Sequence, residues 1–82
     1  MDRVSNFGLA VRKRRLQCKL SQEKLAELAG LHRNLIGLIE RGKINASIES
    51  IYSICDALGT CPSMLFSEAE KIRTKSQPKS KT

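Results

Sequence analysis

Residues 21–40, SQEKLAELAGLHRNLIGLIE, carry apolar side chains at helical spacing in two short runs, Leu25, Ala26, Leu28 and Ala29, then Leu31, Leu35, Ile36 and Ile39. Gly30 lies between the runs. Glycine takes the left-handed backbone of a helix C-cap at little steric cost, so the spacing predicts two helices, about 22–29 and 32–40, joined by a tight turn. Ser21 offers a side-chain oxygen to the first free amides of the earlier helix. On the later one, Arg33, Asn34, Gly37 and Leu38 fall off the stripe set by Ile36 and Ile39 and are expected to face outward.

Two short helices about a compact turn form a helix-turn-helix, whose second helix enters the DNA major groove with its N-terminal side chains toward the bases. Before it, Ser5 and Asn6 read as the cap of a helix over about 6–18, with Phe7, Ala10, Val11 and Cys18 on one apolar stripe and Arg12, Lys13, Arg14 and Lys19 solvated. Arg15 falls at the edge of that stripe, where a charge needs a partner. After it, Arg41-Gly42-Lys43 break the chain and Ser47 caps a helix over about 48–58 whose inner face carries Ile48, Ile51, Ile54, Cys55 and Leu58. Gly59 ends that helix, and Pro62 opens a last one over about 62–70 with Met64, Leu65 and Phe66. From Lys71 the sequence KIRTKSQPKSKT is basic and aperiodic, so a disordered tail over 71–82 is expected behind one domain of residues 1–70. The expected core is Phe7, Val11, Leu20, Leu25, Leu28, Leu31, Ile36, Ile39, Ile51, Ile54, Leu58 and Leu65.

Eighty-two residues suffice for one modest core, and aromatics at 4% beside abundant Leu, Ile and Ala suit helices packed on helices, with no strands. The net charge of +7 is unevenly spread: residues 1–45 carry +6, residues 46–70 carry −4 and no Lys or Arg, and residues 71–82 carry +5. A basic front half that contains the two-helix unit suits a polyanion, with the acidic stretch turned away; taken alone, the charge serves solubility equally well. For the tail itself, solubility is the better reading and nonspecific phosphate attraction the second.

Cys18, Cys55 and Cys61 show no CxxC spacing and stand with a single His, which argues against a metal site. Cys18 and Cys55 are expected as small core residues and Cys61 near the surface, all reduced in a cytoplasm, since no signal peptide is recognisable. No apolar run approaches membrane-spanning length. The sequon Asn45-Ala46-Ser47 is read as loop and helix cap, not as a glycosylation signal. One His and no paired carboxylates leave no candidate for catalysis, so neither enzymatic activity nor a cofactor is expected.

The motifs SQEKLAELAGL, IERGK, N-x-S, ALG and LF, in that order from about Phe7 to Phe66, resemble the Cro/repressor (XRE) family of helix-turn-helix regulators. The run HRNLIGLIERGK and the short chain also look like the controller proteins of restriction–modification systems. The resemblance implies an all-α, five-helix bundle of the lambda-repressor-like type, acting as a homodimer on a palindromic operator in double-stranded DNA, without cofactor or small-molecule ligand. By position, Arg33 and Asn34 match residues that read base edges, Arg through guanine O6 and N7 and Asn through adenine N6 and N7. His32, at the start of the same helix, meets a phosphate or a base. Gln22 resembles the family glutamine that bonds a phosphate and braces the recognition helix, and Arg41, Lys43 and Asn45 match loop positions that clamp the backbone. Arg15 and Glu40 match a pair that forms a salt bridge between the first and third helices in phage repressors of this family.

Leu35, Gly37 and Leu38 depart from the polar or small groove-facing residues common among relatives. Leu38 has three readings: against a thymine methyl, against the sugar edge, or in a partner interface. Lys19 replaces a common Gly at the end of the first helix, which predicts a looser turn there, and Ala46 replaces a common Pro. The acidic 46–70 stretch, with Tyr52, Met64 and Phe66 expected to be exposed, is the expected dimer interface. The competing class is a protein–protein module, an antitoxin or adaptor using the same fold, against which the basic recognition-helix region argues.

Overall fold

The computed structural model describes residues 2–76, which form α1 (Arg3–Gln17), α2 (Gln22–Ala29), α3 (Arg33–Glu40), α4 (Ile48–Leu58) and α5 (Pro62–Ser76), with no strand among them. The class is the expected all-α, five-helix one, and α1 packs chiefly on α5 and α3. The core is drawn from every helix: Phe7, Ala10 and Val11; Leu25 and Ala26; Ile36 and Ile39; Ile54, Cys55 and Leu58; Leu65 and Ala69. Leu20, Leu31 and Ile51 pack against it only partly buried.

Both ends of the bundle extend past the sequence reading. α1 starts at Arg3 because Asp2, not Ser5 or Asn6, is its cap: the Asp2 carboxylate accepts from the Ser5 N–H at 2.7 Å. That bond holds the Asp2 carboxyl below its ordinary range. Asn6 is instead buried within α1, and among the described residues neither its amide oxygen nor its nitrogen has a hydrogen-bond partner. α5 continues through residues 71–76, which were expected to be unstructured. Ile72 extends the stripe of Leu65 and Ala69 by one turn and packs against the core, a contact that the basic composition of the stretch concealed. The remainder of the expected tail, 77–82, lies outside the described residues.

Three apolar assignments are corrected. Leu28 is 52% exposed, on the flank of the stripe that Leu25, Ala26 and Ala29 bury; Ile48 is 74% exposed, at the first position of α4 where nothing covers it. Cys18 is exposed at the C-cap of α1, with its Sγ 3.7 Å from the Leu58 carbonyl oxygen.

The turns that set the helix angles are tight. Gly30 takes φ 71°, and the Leu31 N–H returns to the Ala26 carbonyl at 2.9 Å, which swings α3 across α2. Lys19 takes φ 60° and so does what a glycine would: the Lys19 and Leu20 amides close on the Leu16 and Arg15 carbonyls at 3.0 and 3.1 Å, and the expected looser turn is not found. At Gly8, α1 passes so close to the end of α3 that a Cβ would overlap the Ile39 carbonyl oxygen and stand 2.7 Å from that of Glu40. Two turns further along α1, this approach brings Arg15 to Glu40.

Candidate nucleic-acid interface

The interface is built outward from a buried polar network. Arg15 Nε donates to Glu40 Oε2 at 2.6 Å and its Nη2 to Oε1 at 3.0 Å, while Nη1 donates to the Leu20 carbonyl at 2.8 Å. The two side chains are 9% and 2% exposed, so the pair is desolvated and satisfied by fork geometry. The bond to Glu40 raises the Arg15 pKa, and the guanidinium stays charged at any physiological pH. Gln22, the first residue of α2, joins the network by donating Nε2 to Glu40 Oε1 at 3.0 Å. The Arg15–Glu40 pair thus ties together α1, the turn before α2, the start of α2 and the end of α3.

On this frame the outward residues fall into two groups. His32, Arg33 and Asn34 are exposed at the N-terminal end of α3, where His32 is the cap residue and makes no side-chain cap bond. Arg33 Nη1 lies 3.8 Å from Glu23 Oε1, a solvent-exposed pair across α2 and α3. Arg41, Lys43 and Asn45 are exposed at the other end, in the segment leaving α3. Between the groups Leu38 is partly covered, Leu35 packs against the core, and Gly37 is buried. Leu35 therefore serves the core, as its place in the apolar run of Leu31, Leu35, Ile36 and Ile39 indicates.

Tyr52 on α4 and Met64 and Phe66 on α5 are 57%, 54% and 42% exposed, and Phe66 lines a cavity together with Asn45. Phe66 also stacks at 4.9 Å on Phe7, which fixes its ring. Ile48 adds to the exposed apolar side chains of α4. Reading it as an inward residue hid this, although its spacing of four from Tyr52 puts both on one side of α4. Glu23 is the other residue the sequence reading passed over. Among the described residues no group of His, Cys, Asp and Glu could hold a metal ion, and no helix is long and apolar enough to cross a membrane.

Residues 11–64 match the helix-turn-helix family. The chain is 48% identical over 61 residues to the control protein C.BamHI of Bacillus amyloliquefaciens, an alignment covering 73% of this chain and 75% of that protein. It is similar to the crystal structure of the restriction-modification controller protein C.AhdI from Aeromonas hydrophila, with a TM-score of 0.74 at 40% identity over 76% of this chain and 94% of that one. It is also similar to the controller protein C.Esp1396I, whose crystal structure holds a tetramer in complex with its natural 35-base-pair operator. There the TM-score is 0.78 at 30% identity, over 87% of this chain and 93% of that one.

Proposed function

The chain belongs to the helix-turn-helix family, and from that premise we propose that it is a sequence-specific DNA-binding transcriptional regulator of the controller-protein kind, acting as a homodimer on a palindromic operator. The observation that carries the reading is the pairing of a buried brace with an exposed reading end. Arg15, Glu40 and Gln22 fix α2 against α3, while Arg33 and Asn34 are exposed at the start of α3, the end that enters the major groove in this motif. In this reading Arg33 and Asn34 read base edges, with His32 and Leu38 beside them, and Gln22, Arg41, Lys43 and Asn45 hold phosphates.

The partner surface is assigned to α4 and α5, with Tyr52 and Ile48 on one side of α4 and with Met64 and Phe66 on the two flanks of the buried Leu65. It carries acids and, over 46–70, no Lys or Arg, so it is unsuited to DNA. A two-fold axis there sets the two recognition helices about 34 Å apart, one turn of duplex. The reading assigns the chain no enzymatic step and places its work in the cytoplasm. Selection of bound sequences from random duplex DNA, followed by gel shift on the winner, tests it. A two-fold-symmetric site bound by two chains is the expected result, and no enrichment over random sequence would reject it.

A further inference from the structure

Gly37 lies in the middle of the outward stripe of α3, between Arg33 and Asn34 at one end and Arg41 at the other, and yet it is buried. Two side chains come close enough to cover it. A Cβ at this position would stand 3.1 Å from Arg41 Nη1, 3.7 Å from Arg41 Nη2 and 3.6 Å from Gln22 Oε1. The guanidinium of Arg41 is therefore folded back along α3 by one turn, and it shares with the Gln22 oxygen a space that any other residue at 37 would fill.

Nothing but shape holds it there. Among the described residues Arg41 has no acidic partner, whereas Arg15 is paired with Glu40 and Arg33 with Glu23. Glu40, the nearest acid in sequence, already accepts two bonds from Arg15 and one from Gln22. The bond from Gln22 Nε2 also fixes which way the amide points, leaving Oε1 toward Gly37 and Arg41. The result is an unpaired, seated cation beside the first turn of α2, where free backbone amides and the helix dipole favour an anion.

Resting on the DNA-binding reading above, we propose that Gly37 is a positioning residue: its missing side chain seats the Arg41 guanidinium beside Gln22, so that the guanidinium and the main-chain N–H of Gln22, the first residue of α2, donate to one backbone phosphate of duplex DNA. This gives Gly37 a role through Arg41 and not through a base. It also turns Arg41 from a loop residue into one presented from the face of α3.

The test measures binding of the full chain to a random-sequence 30-base-pair duplex across a salt series, for the wild type, Gly37→Ala, Arg41→Ala and the double variant. Alanine is the better helix former and its Cβ is tight only against the end of the long Arg41 side chain, which can shift, with Gln22 Oε1 in ordinary contact at 3.6 Å, so melting of Gly37→Ala is expected to be unchanged or raised. Each single variant is expected to weaken binding roughly ten-fold and to flatten the salt dependence by about one counterion per subunit. The double variant is expected to be no worse than Arg41→Ala. If Gly37→Ala binds as the wild type does, or if the losses multiply because the new methyl strikes the DNA directly, the seat is overturned. Arg41→Lys, which keeps the charge without the planar fork, gives a check independent of position 37: it should lose most of the same contact, and full retention also overturns the proposal. A wild type that binds no duplex at low salt defeats the functional reading itself, a result distinct from any difference among the variants.

Discussion

Arg15 and Glu40 are joined by two hydrogen bonds, Nε to Oε2 at 2.6 Å and Nη2 to Oε1 at 3.0 Å, between side chains that are almost wholly buried. Because Gln22 and the Leu20 carbonyl share the same groups, losing either charge strands the rest. Arg15→Ala or Glu40→Ala alone is expected to cost about 3–5 kcal/mol, a large share of the stability of so small a domain. Chemical denaturation of both singles and the double measures it. The double should cost far less than the sum, and additive losses would count against coupling.

Lys19 stands at φ 60° in a turn whose two closing hydrogen bonds are formed. A side chain with a Cβ bears about 1–2 kcal/mol of strain in that region, and a glycine bears none but loses more backbone entropy on folding. The balance favours Lys19→Gly by roughly 0.5–1 kcal/mol. Lys19 is exposed and forms no ion pair among the described residues, so nothing offsets the gain. A lowered melting temperature would contradict it.

The two inner helices and their turn were legible because apolar spacing, Ser21 and Gly30 all agree there, and agreement between local signals is what makes a segment readable. Arg15 and Glu40 were legible in the same way, as charges beside apolar stripes. The ends were less so. Asp2 was passed over for Ser5 and Asn6 because all three are cap residues, and only the packing of α1 on α5 decides which stays outside. Ile72 was hidden in a basic run, since a single apolar residue carries no period of its own. Leu28 and Ile48 fit an inward pattern but have no neighbour opposite, and the presence of a neighbour is a tertiary fact. The space at Gly37 could not be read at all, because it depends on where Arg41 folds.

Cys55 is fully buried, and that burial pushes its thiol up to about 11. In the unfolded chain the thiol ionises near its ordinary value of about 8.5–9. Above that pH the unfolded state sheds a proton that the folded state keeps, so stability is expected to fall between about pH 9 and 11. Cys55→Ala should lose that component of the slope, though it leaves a small cavity. Denaturation of both proteins across this range checks it, and parallel slopes would reject the assignment.

Tyr52 is more than half exposed on α4, with Glu49 and Asp56 three before and four after it. If it sits in the dimer interface, Tyr52→Glu sets like charges face to face across the axis. Dimer dissociation should then ease by roughly 2–4 kcal/mol with little change in monomer folding. Sedimentation equilibrium reads this directly, and an unaltered dimer would move the interface elsewhere.

Arg33 and Lys43 are both exposed, at opposite ends of the recognition unit, and they should fail differently. If Arg33 contacts guanine O6 and N7, as proposed, it supplies a bidentate bond present only at the correct base pair. Arg33→Ala should therefore lose roughly 1–3 kcal/mol on the operator, much less on scrambled DNA, and relax preference at one position of each half-site. Part of that loss is already offset in the wild type, where the guanidinium must leave Glu23 at 3.8 Å; the pair is solvent-exposed, so the offset is small. Lys43→Ala should weaken both DNAs alike and reduce the salt slope by about one counterion per subunit, because a phosphate contact carries no sequence information. Neither residue belongs to the core, so both variants should melt as the wild type does. Affinities for operator and scrambled duplex over a salt series separate the two behaviours. Equal losses on both DNAs for Arg33→Ala would show that the start of α3 is not the reading element, and base recognition would then have to be sought from Asn34 onward along the same helix.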